Sequence, residues 1–167
     1  MENLLGMLKP ENLRICLCNK ANVREGVITR EFEWSNDILE HLRFVDGDKT
    51  VIVNESLLNN LSMTEEEMWT KAKENSERNS ISFLFFGEML VISNKEKTLG
   101  AYVNENIINR IKNKYEMGNV YVLPSSVHEV IIVEKDRISY ENAENMVKDV
   151  NKTLEKNEFL SDYPFIM

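Results

Sequence analysis

The stretch Tyr121-Val122-Leu123-Pro124-Ser125-Ser126-Val127-His128-Glu129-Val130-Ile131-Ile132-Val133 decides the fold. β-Branched and aromatic residues run on both sides of a short Pro-Ser-Ser break, which is the pattern of two strands joined by a loop. Alternation along the second run puts His128, Val130 and Ile132 on one face and Glu129, Ile131 and Val133 on the other. Both faces are mostly apolar, so the spacing predicts a hairpin, strands at 119–123 and 128–133, in the interior of a sheet.

The flanks of this hairpin are helical. Ser139 is a cap residue, and Tyr140, Ala143, Val147, Val150 and Leu154 follow at alternating steps of three and four, one face of a helix. On the other side Asn104 caps a helix that buries Ile107, Ile108, Ile111 and Tyr115 and is ended by Gly118. The apolar tail, 159–167, is expected to dock on the body. Farther out, residues 81–86 and 89–92 predict two strands around Gly87-Glu88, and 99–103 one more. Thr64-Glu65-Glu66-Glu67 is a capping box, opening a helix with Met68, Trp69 and Ala72 inward and fading near 75–79. A short helix is expected at 55–61. Residues 38–45 read as helix or strand, and the turn at Asp46-Gly47-Asp48 before 50–53 favours a hairpin. Strands are expected at 13–18 and 27–34, and one or two helical turns at 1–8, before Pro10. The sum is a single α+β domain over residues 1–167, a largely antiparallel sheet of hairpins packed against about three helices.

Composition narrows the function classes. With 167 residues, 43% hydrophobic and 29% charged, the chain has the make-up of a globular domain able to bury its own core. Its 28 acidic and 20 basic residues leave a net charge of -8, which disfavours direct nucleic-acid binding and favours a protein partner with a basic surface. Two cysteines two positions apart on a strand, Cys16 and Cys18, cannot readily pair, so a reducing, cytoplasmic setting is expected. No apolar run approaches a membrane span and no secretion signal is evident.

The residues able to carry chemistry are few. Ser125 or Ser126 beside His128 would make a nucleophile and base, with Glu129 as a nearby acid. Glu129 and His128 point to opposite faces, which spoils the simplest triad. No glycine-flanked nucleophile elbow is present. The plainer reading is a turn in which the serines bond their own backbone after Pro124. Cys16 and Cys18 share one strand face, and His41 and His128 complete a zinc set only if the fold brings them together; buried, inert thiols are the simpler expectation. Asp46-Gly47-Asp48 is too short for a calcium loop. No phosphate-cradling glycine loop exists. No metal and no cofactor are expected. A small-ligand site has Trp34, Tyr102 and Arg110 available, with Pro124 and Ser125 as further candidates, but nothing in the sequence gathers them.

Several segments together carry a family resemblance: 51–58, Met63-Thr64-Glu65-Glu66-Glu67-Met68-Trp69, Ala72-x-Glu74-Asn75, residues 121–130 and Leu160-Ser161-Asp162. In these the chain resembles an uncharacterised, domain-of-unknown-function family of clostridial and related Gram-positive bacteria and their mobile elements. The likeness runs over roughly residues 29–167, with Leu123-Pro124-Ser125-Ser126-x-His128-Glu129-Val130 its most specific part, and residues 1–28 stand as a family-divergent N-terminal extension. The resemblance implies a bacterial or phage cytoplasmic protein in an accessory-gene setting, and brings no activity, cofactor or catalytic residue.

The expected function is therefore a small acidic, non-enzymatic binding or inhibitor protein, a phage or mobile-element factor acting on a host defence complex. The alternatives are a hydrolase built on Ser125, Ser126, His128 and Glu129, and a binder of a small nucleotide signal.

Overall fold

The computed structural model describes residues 6–85, 89–95 and 102–167. Nine strands in two antiparallel sheets and four α-helices make up the described residues, an α+β fold. The single expected sheet is two. The turn expected at Gly87-Glu88 lies outside the described residues, as do most of the turns expected at 1–8 and residues 99–101 of the strand expected at 99–103. Tyr102 and Val103 are buried but in no strand.

The first sheet is built around one long strand. β1 (Leu13–Asn19) lies along one edge of β3 (Ile38–Asp46). β2 (Thr29–Glu31) and β4 (Lys49–Ile52) lie end to end along the other. The β3–β4 loop has two residues, with Gly47 at φ 60, the left-handed value that the first position of a type II′ hairpin turn requires. β2 is shorter than the expected 27–34, because Phe32 leaves the ladder to enter the core, where its ring stands 5.4 Å from that of Trp34 and 5.3 Å from that of Phe165.

Helix α1 (Glu55–Leu58) is a single turn capped by Asn54, and α2 (Glu65–Asn79) follows it. The capping box at its start is complete: Thr64 Oγ1 accepts from the Glu67 N–H, and the Glu67 carboxylate accepts from the Thr64 N–H. α2 packs on the first sheet through Met68, Trp69 and Ala72. Buried polar bonds fix its position: Ser76 Oγ accepts from the Ile15 N–H at 2.9 Å, and Asn75 Nδ2 donates to the Pro10 and Leu13 carbonyls.

The second sheet runs β5 (Ser80–Phe85), β6 (Met89–Asn94), β8 (Val130–Glu134), β7 (Val120–Leu123), β9 (Phe165–Ile166). The hairpin that opened the sequence reading supplies its central strand, β8, and the neighbouring β7. One face, with Val120, Val122, Val130 and Ile132, joins the main core shared with the first sheet, α2 and α3 (Glu105–Tyr115). The other face, with Tyr121, Leu123 and Val133, is covered by Ala143 and Val147 of α4 (Tyr140–Asn151). Asn104 and Ser139 cap α3 and α4 as expected. α3 ends differently: the left-handed residue is Glu116, at φ 55, two positions before Gly118. The tail docks, as β9.

Candidate functional site

The fold places the sequence candidates in separate surroundings. Pro124, Ser125 and Ser126 are buried rather than exposed, because the turn after β7 folds inward before β8 begins. Ser126 Oγ accepts from the His128 N–H at 3.1 Å, and the Ser126 N–H donates to the Glu129 carbonyl, so this hydroxyl is spent on its own turn. The His128 ring meets neither serine nor Glu129. It stands exposed with Nε2 3.5 Å from a carboxylate oxygen of Glu158. Trp34 packs on Phe32, whereas Arg110 donates from α3 to the Glu77 carbonyl at the end of α2; the two do not converge. Tyr102 lies with Asn104, its burial raising the phenol well above its ordinary range.

The residues that do converge are the two thiols and the two imidazoles. β3 alternates, so Ile38, Glu40, Leu42 and Phe44 face α2 while Leu39, His41 and Arg43 face away. Register pairs Cys16 with His41 and Thr29 with His41 on that outward face. Above it opens a groove of about 500 Å³. Its floor is Cys16, Cys18, His41, Arg43, Thr50 and Ile52, and its walls come from Asn22 to Val27, from Asp48, and from Val127, His128, Asn157 and Glu158. The wall from the second sheet is tied down where the Val127 N–H donates to the Glu158 carbonyl at 2.9 Å.

Burial sets the chemistry of this groove. Desolvation pushes the Cys18 thiol up to about 11, against a smaller opposing pull from the Arg43 guanidinium, and the thiol donates to the Leu39 carbonyl. It is a neutral thiol and a poor nucleophile. Desolvation, with Arg43 beside it, outweighs the upward pull of the Leu42 backbone and lowers His41 to about 4, so its ring is neutral at physiological pH. His41 is 4% exposed and its Nδ1 has no hydrogen-bond partner. Arg43 Nε is likewise buried without a partner, and no salt bridge among the described residues uses Arg43. Among the described residues no group of three or more His, Cys, Asp or Glu side chains is gathered to hold a metal ion. Sequence reasoning missed Arg43 entirely; its only signal was one more charge in a strand that also carries Glu40 and His41.

A second feature lies on the far side of the second sheet. Among the described residues the large apolar side chains left exposed are Tyr140, Tyr163 and Ile166, at 41%, 52% and 49%. The Tyr140 ring stands 5.9 Å from that of Tyr121, and Ile166 lies directly across from Tyr121 in the β7–β9 pair. Tyr163 lies beneath Lys148 Nζ, 5.5 Å from its ring, and Lys148 is itself paired with Glu144. Val120 and Met167 exchange both their backbone bonds. Antiparallel alternation therefore turns the N–H and C=O of Ile166 outward, away from β7.

A sequence model of DUF5688, a family of unknown function, matches residues 80–166. That span holds the whole second sheet, α3, α4 and the 124–129 turn, and leaves out the first sheet, a narrower reach than the resemblance over 29–167. No curated protein and no solved structure matches the chain.

Proposed function

The chain belongs to DUF5688, a family of unknown function, and from that premise we propose that it is a non-enzymatic binding protein that acts on another protein through the outer edge of its second sheet. The observation that carries this reading is the gathering of Tyr140, Tyr163 and Ile166 around an edge strand with outward-facing backbone groups. An extended segment of a partner would add to β9 by main-chain hydrogen bonds, with the tyrosines gripping its side chains. Tyrosine suits such a contact, since its apolar ring is buried while its hydroxyl keeps a polar partner. Glu144 and Asp162 flank the edge, and Lys148 is already held by Glu144. With a net charge of -8, the rim favours a basic partner.

The proposed setting is the bacterial cytoplasm, and the proposed consequence of binding is inhibition, with a nucleic-acid-binding component of a host defence complex as the target. Acidity and the resemblance to mobile-element proteins support that form. The hydrolase alternative finds no assembled nucleophile and base among the described residues: Ser126 serves its turn, His128 faces Glu158, Cys16 is buried and Cys18 is held protonated.

The test compares the wild-type chain with a Tyr163→Ala, Ile166→Lys double variant as bait in a bacterium carrying a defence system, while phage plating is scored. The variant should lose about thirty-fold in affinity for the recovered partner, the scale of one central interface residue. It should lose relief of defence in parallel. Equal recovery on both baits, or no effect of either on plating, refutes the reading.

A further inference from the structure

We infer that the groove over the outer face of the first sheet is a binding site for a small ligand carrying one oxyanion group, a carboxylate or a phosphate, with Arg43 as its anchor. This site is separate from the protein-binding edge and does not depend on it.

The argument begins with two unsatisfied groups. A buried polar atom without a hydrogen bond costs about 1–3 kcal/mol, more for a charged group, so native folds leave few of them. His41 Nδ1 and Arg43 Nε are two such atoms, two residues apart on β3 and on the same face of the sheet. Both side chains line the groove. Two other arginines show the partners such a group takes: Arg30 holds Glu66 at 2.6 Å and lies over the Trp69 ring at 4.6 Å, and Arg110 donates to the Glu77 carbonyl. Arg43 faces the neutral His41 imidazole and the protonated Cys18 thiol instead. A guanidinium presents donors in a planar fork that matches a carboxylate or phosphate with two parallel bonds, which is the group its surroundings fail to supply.

The rest of the lining sets what else the ligand carries. The volume, about 500 Å³, is that of a site for a small molecule rather than for a single ion. Arg24 adds a second cation on the wall. Asp48 and Glu158 are the carboxylates there, and they disfavour a second anionic group on the ligand while offering acceptors to an amine or to base N–H groups. Val23, Val27 and Ile52 give apolar contact. The ligand is thus a molecule with a single oxyanion group and donor groups at its other end, of the size of an amino acid or a mononucleotide. His41, kept neutral, accepts or donates one bond without adding charge. The family-matched span supplies only one wall, so the groove is completed by the first sheet, outside that span.

The test is an NMR titration of the nitrogen-15-labelled chain with three probes: inorganic phosphate, acetate and adenosine monophosphate. Phosphate against acetate separates the two oxyanion classes, and the nucleotide tests the remainder of the groove. The Arg43 Nε–H and His41 ring signals should move together and saturate with at least one probe, while the amides of Tyr163 and Ile166 stay still. Arg43→Met should weaken that binding about ten- to a hundred-fold, the worth of a charge-assisted pair. The inference fails if neither signal saturates with any probe below roughly 10 mM, or if the variant binds as the wild type does. The wild-type titration decides the matter alone should Arg43→Met not fold.

Discussion

Replacing Glu40 with Gln should stabilise the protein strongly at pH 8 and far less at pH 5. Glu40 lies on the core-facing side of β3, across from Leu17 on β1 and Arg30 on β2. No hydrogen bond to its carboxylate exists among the described residues, and its neighbours are Arg30, Lys73 of α2, Glu33 and Tyr102. Burial raises it from 4.5 to about 7, outweighing the downward pull of Arg30 and Lys73. The unfolded chain releases this proton near the ordinary value, while the folded chain holds it up to neutrality. Between those two values the folded state binds more protons than the unfolded one, so stability falls as pH rises through the window. Above it, the ionised carboxylate costs the fold about 3 kcal/mol, from about 1.4 kcal/mol for each tenfold change in proton affinity. Glutamine keeps the shape and never ionises. The gain at pH 8 should approach about 3 kcal/mol, or about 6–12 °C in Tm for a chain of this length. At pH 5, where the unfolded chain is already mostly ionised and the folded one is not, the gain should shrink to about 1 kcal/mol. Urea unfolding followed by tryptophan fluorescence at both pH values measures the difference, and other titrating groups cancel between the two chains. A Gln variant that is less stable than the wild type at pH 8 would refute the reasoning. It would mean that Glu40 is ionised and held by Arg30 and Lys73.

His41 should act in the opposite sense: its lowered value, about 4, means that its contribution is fully present above pH 6.5 and is lost as pH falls through 4, about 3 kcal/mol in all. A His41→Gln chain should show a flatter acid limb in the same unfolding assay, and an unchanged limb would count against a buried neutral ring. Ser76→Ala should cost about 1–3 kcal/mol in a denaturant titration, since it orphans the buried Ile15 N–H; a loss under about 0.5 kcal/mol would mean that another acceptor replaces the hydroxyl. Cys18, raised from 9.0 to about 11, should react with a thiol-specific disulfide reagent about ten-fold more slowly than an unperturbed thiol, its roughly hundred-fold smaller thiolate fraction being partly offset by greater nucleophilicity. Kinetics at pH 8 that match a solvent-exposed cysteine would overturn that reading.

What the sequence made legible was local. Thr64 and Glu67 announce their helix because a capping box is a contact between residues three apart. Asn104 and Ser139 do so for the same reason. The run at 121–133 gave away the centre of a sheet because both its faces are apolar. β3 stayed ambiguous as 38–45 because its pattern is not a clean alternation: one face meets α2 and carries Glu40, and the other is the floor of a groove, with His41 as buried as a core residue. That second face is a property of strand register. Nothing near His41 in sequence says that Cys16 and Thr29 will lie beside it, or that Glu158 will close the wall above. Tyr140 shows the same limit from the other direction: its spacing places it on the packed side of α4, yet the helix begins at the sheet's margin and leaves the ring 41% exposed. The two histidines and two cysteines all line one groove, but among the described residues no three of them gather as a ligand set, and burial opposes one as well. Cys18 keeps its proton, His41 is wedged beside a guanidinium, and His128 turns to a carboxylate. A metal ion would add positive charge next to Arg43, whereas an anion would relieve it, so the electrostatics of the floor favour the oxyanion over the metal with the same residues in place.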